Sequence, residues 1–199
     1  MCGVQAIVLM PSDDAIRAIG GNATLLPLDL AEGGQLDAIG PSIHQRFGRL
    51  DALVHIAGAL GRLTPVAHIL PNDWDDGLAV NLNAAWHLIR TCEPLLRNAE
   101  AGRAVFVTDE RARAPKAYWG TYGATKAGTE HLVLTWADEV RTTRLRVNLF
   151  DPGPTATRLR GQAMPGEDQS ALPKPEHIAP TLAALCLPSE QRHGALIRA

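Results

Sequence analysis

A tyrosine and a lysine, Tyr122 and Lys126, stand four residues apart in a stretch with a helical pattern. Four residues make about one helical turn, so both side chains leave the same face and can meet at one point. Because a nearby ammonium favours an ionised phenol, we expect the pKa of Tyr122 to be lowered toward a value that suits general acid–base catalysis. The chain has only 2 tyrosines, and about 0.03 chance pairs are expected at this spacing. A solvated polar pair is the alternative interpretation.

Other catalytic and metal-binding motifs are missing from the sequence. The 7 histidines show neither the HExxH spacing nor a Cys/His ligand pattern, so we expect no bound metal. A Gly-x-Ser-x-Gly elbow and a P-loop are absent as well. Cys2, Cys92 and Cys186 are widely separated and odd in number, which is typical of free thiols in a reducing cytoplasm.

The composition is that of an ordinary globular protein. With 199 residues, of which 46% are hydrophobic and 20% charged, the chain can build one domain with a proper core. A net charge of -2 argues against a dedicated nucleic-acid-binding protein. No apolar run approaches the roughly 18 residues of a membrane-spanning helix, and residues 1–10 lack the pattern of a signal peptide. A small molecule is therefore the expected partner, with neither nucleic acid nor membrane.

Short apolar runs alternate with helical patterns along the whole chain. Strands are predicted at 4–10, 24–28, 52–56, 104–108, 145–150 and 195–198. Helices are predicted near 13–19 and over 36–47, 72–97, 121–140 and 175–187. In the third helix, Asn72 is the expected cap, and Pro94 is expected to cause a kink or an early end. This alternation predicts an α/β fold, a parallel sheet with helices on both faces.

The segment 152–175 is rich in Pro, Gly and polar residues. We interpret it as a long surface loop, and loops of this length in compact domains are more often functional lids than simple connections. The chain is thus expected to be one domain, 1–199, with 152–175 as a lid over a substrate site.

Five segments, taken in order, resemble those of the short-chain dehydrogenases/reductases. They are HIAGALG at 55–61, VNLNAAW at 80–86, YWGTYGATKAGTEHL at 118–132, LRVNLFDPGPTAT at 145–157 and HGALIRA at 193–199. The similarity covers essentially the whole chain. It implies a Rossmann-like doubly wound sheet and hydride transfer between NAD or NADP and a carbonyl or alcohol. It also implies assembly into homodimers or homotetramers.

The resemblance further implies roles for individual residues. Tyr122 would be the acid/base, and Lys126 would lower its pKa and hold the nicotinamide ribose. Asn81 would belong to a proton relay through water. The remaining cofactor contacts would come from Asp29 beside the adenine, from Ala57 and Gly58 against the cofactor backbone, and from Thr157 near the nicotinamide.

The sequence departs from the family pattern at three places. The Gly-rich TGxxxGxG turn, which cradles the pyrophosphate, is absent because residues 4–19 contain no glycine. The basic residue that commonly receives a 2′-phosphate is replaced by Pro11 or Ser12, with two aspartates following. Asp109 stands 13 residues before Tyr122, in the place of the catalytic serine, and an ionised carboxylate cannot donate a hydrogen bond.

These departures predict an impaired site. Losing one hydrogen-bond donor to the substrate oxygen typically lowers the rate by about 10²–10³. Thr108 could replace the serine if the strand end shifts by one residue, or a protonated Asp109 could donate. We expect weak or no activity, and one alternative is a non-catalytic scaffold or interaction protein on the same fold. The other is that the native protein begins before Met1 and carries the Gly-rich turn.

The missing turn also bears on the sheet. In the family the strand order is 3-2-1-4-5-6-7, and the later motifs align the first strand of this chain with the second family strand. Without the central strand, the expected order in this chain is 2-1-3-4-5-6, which keeps right-handed crossovers. We therefore predict that 4–10 lies beside 52–56.

Overall fold

Parallel strands joined by helices form the framework of the protein. The computed structural model describes residues 5–8, 16, 18 and 20–199. Within these residues the strands are β1 (Gln5–Val8), β2 (Asn22–Leu25), β3 (Ala52–His55), β4 (Arg103–Val107), β5 (Arg146–Asp151) and β6 (Leu196–Arg198). Every ladder between them is parallel, which confirms the predicted α/β fold.

Helices connect the strands. They are α1 (Gly33–Asp37), α2 (Ile39–Phe47), α3 (Pro71–Gly77), α4 (Ala84–Asn98), α5 (Gly120–Val140), α6 (Arg158–Ala163) and α7 (Pro175–Ala184). A π-helical segment, Leu78–Asn83, joins α3 to α4, and short 3₁₀ turns occur at Val66–His68, Glu110–Ala112 and Gln169–Ala171. The helix predicted near 13–19 lies largely outside the described residues. None of the described helices is long and apolar enough to cross a membrane.

One detail of the helix prediction is wrong. Leu70, not Asn72, is the residue before the first turn of α3, because Pro71 occupies the first helical position, where the missing N–H of proline costs nothing. The predicted end near residue 97 is confirmed, since α4 continues past Pro94 to Asn98. Burial of Leu95 and Leu96 against the core holds this last turn in the helix.

The strands form two sheets, one of order β1-β2 and one of order β3-β4-β5-β6. The predicted pairing of 4–10 with 52–56 is therefore wrong: in the described part of the chain, β1 pairs with β2 alone. Between β2 and β3 the chain forms α1 and α2, and α2 packs on α4, where Gly40 N donates to Thr91 Oγ1 at 3.0 Å. A permitted topology does not by itself bring two strands into hydrogen-bonding range.

The core covers both faces of the four-stranded sheet. Phe106 and Leu149 are buried against α4 and α5 on one face, while Val105 and Phe150 pack with Leu185 next to α7 on the other. Neighbouring residues of β4 and β5 thus point into different clusters. This explains why β4 is apolar from Ala104 to Val107 without alternation.

One charged side chain, Arg103 at the start of β4, is also buried. Its guanidinium donates to the carbonyl oxygens of Gly102, Leu187, Pro188 and Glu190, at 2.7–3.1 Å. These contacts tie the segment after α7 to the sheet.

We predict that Arg103→Met lowers the free energy of unfolding by about 3 kcal/mol, because it leaves buried carbonyl groups without a donor. The measurement is urea denaturation at neutral pH. The exposed Arg144 provides the matched control, and Arg144→Met should change stability by less than about 0.5 kcal/mol. Equal losses in the two variants would contradict the role given to the Arg103 contacts.

Candidate active site

Tyr122 and Lys126 meet at the carboxyl ends of β3 and β4. Both lie in the first half of α5 and are almost completely buried. Lys126 Nζ donates to the carbonyl oxygen of Val107, the last residue of β4, at 3.0 Å and lies 6.0 Å from the centre of the Tyr122 ring. The structure thus brings together the pair that the spacing predicted.

Asn81 clamps the loop after β3 to this pair. It lies in the π-helical segment, where its Oδ1 accepts from Ala59 N at 2.7 Å. Its Nδ2 donates to Ala59 O at 2.9 Å and to Thr125 Oγ1 at 3.0 Å, so both amide hydrogens are committed. The main-chain oxygen of Asn81 accepts from Thr129 Oγ1 at 2.8 Å. These contacts give Asn81 a positioning function, while its relay role stays a prediction.

Gly58 brings the same loop close to the lysine. A Cβ atom at this position would lie 3.3 Å from Lys126 Nζ and 3.6 Å from Asn81 Oδ1. Ala57, the residue before it, is half-buried. An ammonium group carries three hydrogens, and Val107 O uses one, so Lys126 keeps donors for the ribose hydroxyls of a dinucleotide. The residues at this end therefore fit the predicted cofactor.

Asp29 lies at a separate open cleft. The cleft measures about 610 Å³ and is lined by Pro27, Leu28, Asp29, Leu30 and Val80. The exposed carboxylate of Asp29 accepts from Ala31 N at 2.9 Å. The apolar walls of the cleft suit an adenine ring, so the cleft fits the adenine end of a dinucleotide. The positions predicted to meet a 2′-phosphate, Pro11 and Ser12, lie outside the described residues.

The pKa of Tyr122 is raised, and the sequence-based expectation of a lowered pKa is wrong. Burial disfavours the phenolate first, and the negative charges of Asp109 and Asp151 disfavour it further. Burial also lowers the pKa of Lys126 to about 8, against the opposing charges of Asp109 and Glu130. The sequence indicated that an ionised Asp109 would oppose the phenolate, but it did not show Asp151, which comes from β5, or the cost of burial.

Asp109 and Thr108 follow β4, in the position of the expected serine. The Asp109 carboxylate accepts from Arg111 N at 2.7 Å and thereby caps the 3₁₀ turn at Glu110–Ala112. Thr108 is buried, and its hydroxyl donates to the Glu130 carboxylate. The expectation that Thr108 could replace the serine is wrong, because its hydroxyl is committed to Glu130.

The segment 152–175 packs against Tyr122. Thr157 caps α6, because its hydroxyl accepts from Arg160 N at 3.2 Å. Its role near the nicotinamide stays a prediction. The Arg160 guanidinium in turn binds the Glu167 carboxylate through two hydrogen bonds, at 2.6 and 2.7 Å. The cluster around the tyrosine contains Trp119, Tyr122, Ala163, Leu60, Leu63, Leu159 and Met164. The segment thus contacts the tyrosine, as a lid over the site would. The lid function itself stays a prediction.

The sequence analysis did not predict the ionic cluster that lies beside Tyr122 and Lys126. Arg113 pairs with both Glu130 and Asp151. Two signals were available: Glu130 follows Lys126 by one helical turn, and Asp151 ends β5, whose carboxyl end meets that of β4 at the same sheet edge.

His55, at the end of β3, was missed as well. It is buried against Phe106, and in the described part of the chain its Nε2 has no hydrogen-bond partner. Burial, assisted by the positive charge of Lys126, lowers the pKa of His55 to about 4. The imidazole is therefore neutral near pH 7 and adds no charge to the site.

Comparison with known proteins gives consistent matches. Residues 9–168 match the family model described as short chain dehydrogenase. YciK, an uncharacterized oxidoreductase of Escherichia coli K12, is 40% identical over 188 residues, which are 89% of this chain and 74% of the relative. The 2,3-dihydro-2,3-dihydroxybenzoate dehydrogenase of the same organism is 30% identical over 133 residues, which are 67% of this chain and 53% of the relative.

Solved structures agree with these matches. The structure of YciK from E. coli has a TM-score of 0.82 at 34% identity, covering 89% of this chain and 73% of that one. A short chain dehydrogenase structure from Pseudomonas syringae has a TM-score of 0.91 at 32% identity, covering 98% and 83%. One from E. coli CFT073, complexed with NADPH, has a TM-score of 0.85 at 33% identity, covering 93% and 78%.

The lowered pKa of Lys126 predicts a pH-dependent stability. Between about pH 8 and pH 10.5 the unfolded lysine holds its proton while the native lysine has lost it. The unfolded state then binds more protons, so the free energy of unfolding rises with pH in this window, by about 3 kcal/mol at most. Denaturant titrations across the window should show that Lys126→Met removes the rise. Lys116→Met, at an exposed lysine, should keep it, and a rise that persists without Lys126 would refute this assignment.

Proposed function

The chain belongs to the short-chain dehydrogenase family, and from this premise we propose that it is an NAD(P)-dependent oxidoreductase that interconverts a carbonyl and an alcohol, with a weakened hold on its cofactor and low activity. The observation that carries the proposal is that the Lys126 ammonium lies next to the Tyr122 ring and that the loop at Gly58 comes close to the same ammonium. The NADPH bound to a similar solved structure supports the choice of cofactor.

The side chains divide the work as follows. When bound, the dinucleotide supplies or accepts the hydride. Lys126 holds the nicotinamide ribose with the hydrogens that Val107 O leaves free, and it stays mostly protonated at neutral pH because its pKa is about 8. The Tyr122 hydroxyl donates a proton to the substrate oxygen during reduction and removes it during oxidation. Asn81 keeps the loop at Ala59 in place.

Three features support low activity and a weak hold on the cofactor. Pro11 or Ser12 stands where a basic residue commonly meets a 2′-phosphate, and two aspartates follow. In addition, burial and the charges of Asp109 and Asp151 raise the pKa of Tyr122, which opposes its action as a base. Asp109 also provides no hydroxyl for the substrate oxygen.

We predict weak but saturable binding of NADPH or NADH, with a Kd on the order of 1 mM. Energy transfer from protein tryptophan to the reduced nicotinamide reports it. Lys126→Met should abolish binding, whereas Tyr122→Phe should retain binding and lower any turnover by at least about 10²-fold. No saturable signal at several millimolar cofactor would rule out a dehydrogenase, and micromolar affinity would contradict the weakened cofactor site.

A non-catalytic scaffold or interaction protein is the second candidate. The carboxylates around Tyr122 favour it, because they oppose the phenolate that catalysis uses. A Tyr122→Phe exchange that leaves every cellular phenotype of the protein intact would support this candidate over an enzyme.

We also propose a reducing, cytoplasmic setting. Cys92 and Cys186 are free thiols. Burial raises the pKa of Cys92 to about 12, so this thiol is protonated and unreactive at neutral pH.

We further propose that two copies associate through α4 and α5. Trp86 is 46% exposed and Leu134 39% exposed on these helices. Between the helices lies a groove of about 500 Å³, lined by Leu82, Asn83, Trp86, Gly128, His131, Leu132 and Thr135. A large exposed aromatic beside such a groove is typical of a subunit interface.

Trp86→Glu should therefore yield a particle with the mass of one chain, while the unchanged protein has the mass of two or four chains. A charge in a buried interface is left unpaired, which opposes association. The measurement is light scattering at several protein concentrations. Leu70→Glu, at a residue 50% exposed before α3, is the control and should keep the assembly. A single-chain mass for the unchanged protein would refute the interface.

A further inference from the structure

One cation near the site, Arg113, has no part in the contacts proposed for cofactor and substrate. It directly follows the 3₁₀ turn at Glu110–Ala112. Its guanidinium pairs with Glu130 on α5 through Nη1 and with Asp151, the last residue of β5, through Nη2. Among the described residues, no other cation pairs with either carboxylate. Arg113 therefore joins the segment after β4 to both α5 and β5.

The two carboxylates are buried and held in place by further contacts. The side chain of Asp151 is 7% exposed and that of Glu130 is 12% exposed. Asp151 Oδ1 accepts from Gly153 N at 3.0 Å, and the Glu130 carboxylate accepts from the Thr108 hydroxyl. A buried charge is poorly screened by water, so it acts on other groups over a longer distance than a surface charge does. Without Arg113, both carboxylates would act with their full charge.

Contacts at the ends of the strands place these carboxylates beside the catalytic pair. Glu130 follows Lys126 by one turn of α5, so the two side chains leave the same face of the helix. They also contact adjacent residues, since Lys126 Nζ donates to Val107 O at 3.0 Å and Glu130 accepts from Thr108. Asp151 ends β5, the strand that pairs with β4 at this edge of the sheet.

The charges of both carboxylates reach the pair. Glu130 raises the pKa of Lys126, and Asp151 raises the pKa of Tyr122, in agreement with these positions. A cation in contact with a carboxylate offsets much of its field at a longer distance. The guanidinium therefore limits how strongly the two negative charges hold protons on the pair.

Other titratable groups face Lys126 from the neighbouring elements. Asp109 acts on it from the segment after β4, and His55 at the end of β3 is neutral near pH 7. The 3₁₀ turn that packs against α5 contributes Glu110 and Arg111, which pair with each other. The guanidinium that follows this turn differs from these groups, because its removal would unmask two carboxylates at once.

We propose that Arg113 is a positioning residue that sets the pH range in which Tyr122 and Lys126 gain and lose their protons, by offsetting the charges of the two carboxylates beside them. The proposal rests on the proposed function, in which the Tyr122 hydroxyl gives and takes the substrate proton. Loss of the guanidinium would make both groups hold their protons more tightly, because unpaired negative charges favour the protonated forms.

Titration of Lys126 by NMR tests the proposal without any cofactor. The chain has 3 lysines, so carbon-13 at lysine Cε gives one signal for each, and Lys126→Met identifies the relevant signal. In the unchanged protein, the pKa of Lys126 should be about 8. Arg113→Gln should raise it by at least about half a pH unit, which is about a threefold gain in proton affinity. Arg113→Lys keeps the charge and should leave it nearly unchanged. Arg141→Gln is the matched control, at an exposed arginine that pairs with exposed Asp138, and should not shift it.

Several results would overturn the proposal. One is a pKa of Lys126 that stays the same or falls in Arg113→Gln, and another is a shift of equal size in Arg113→Lys. Because Arg113→Gln leaves two buried carboxylates without a cation and can fail to fold, Glu130→Gln provides an independent test. It should lower the pKa of Lys126, since the guanidinium then keeps more of its positive charge, and an unchanged or raised value would contradict the proposal.

The pH dependence of turnover supplies a second measurement. With NADP and an alcohol, the pH at which oxidation reaches a given rate should rise in Arg113→Gln, because the Tyr122 hydroxyl gives up its proton less readily. Arg141→Gln should leave this profile in place, and a profile that Arg113→Gln does not move would also count against the proposal. If no dinucleotide binds, the proposed oxidoreductase function fails, while the titration of Lys126 still decides whether Arg113 offsets the carboxylates.

Discussion

The buried ammonium of Lys126 is the interaction on which the rest of the site depends. Its Nζ reaches the last carbonyl of β4 at Val107, and this single hydrogen bond joins α5 to the sheet at the point where the strands end. Burial makes the charge costly, which is why its pKa falls to about 8. A Cβ atom at Gly58 would lie only 3.3 Å from the same atom, so a larger residue there would push the loop away from the lysine.

Asn81 explains why this geometry holds. A buried amide has to satisfy two donors and an acceptor, and Asn81 does so entirely with Ala59 and Thr125. It can do this because the π-helical segment between α3 and α4 turns its side chain toward the loop, and single π turns are frequent at functional sites. The loop at Ala59 and α5 are therefore linked through Asn81 by hydrogen bonds.

Carboxylates decide the chemistry of this site. Asp151 and Glu130 share Arg113 as their counterion, while the Asp109 carboxylate accepts from Arg111 N. Together with burial, the charges of Asp109 and Asp151 keep the Tyr122 hydroxyl protonated, so it donates well and accepts a proton poorly.

The sequence by itself determined the parallel α/β fold and the meeting of Tyr122 with Lys126, because strand and helix periodicities and one-turn spacing are local properties of the chain. Only the tertiary structure decided the pKa of Tyr122, the partner of Thr108 and the separation of β1 from β3. Each of these depends on groups far apart in the chain, such as Asp151 and Glu130. Burial and charge act through distances in space, and the order of residues along the chain does not give those distances.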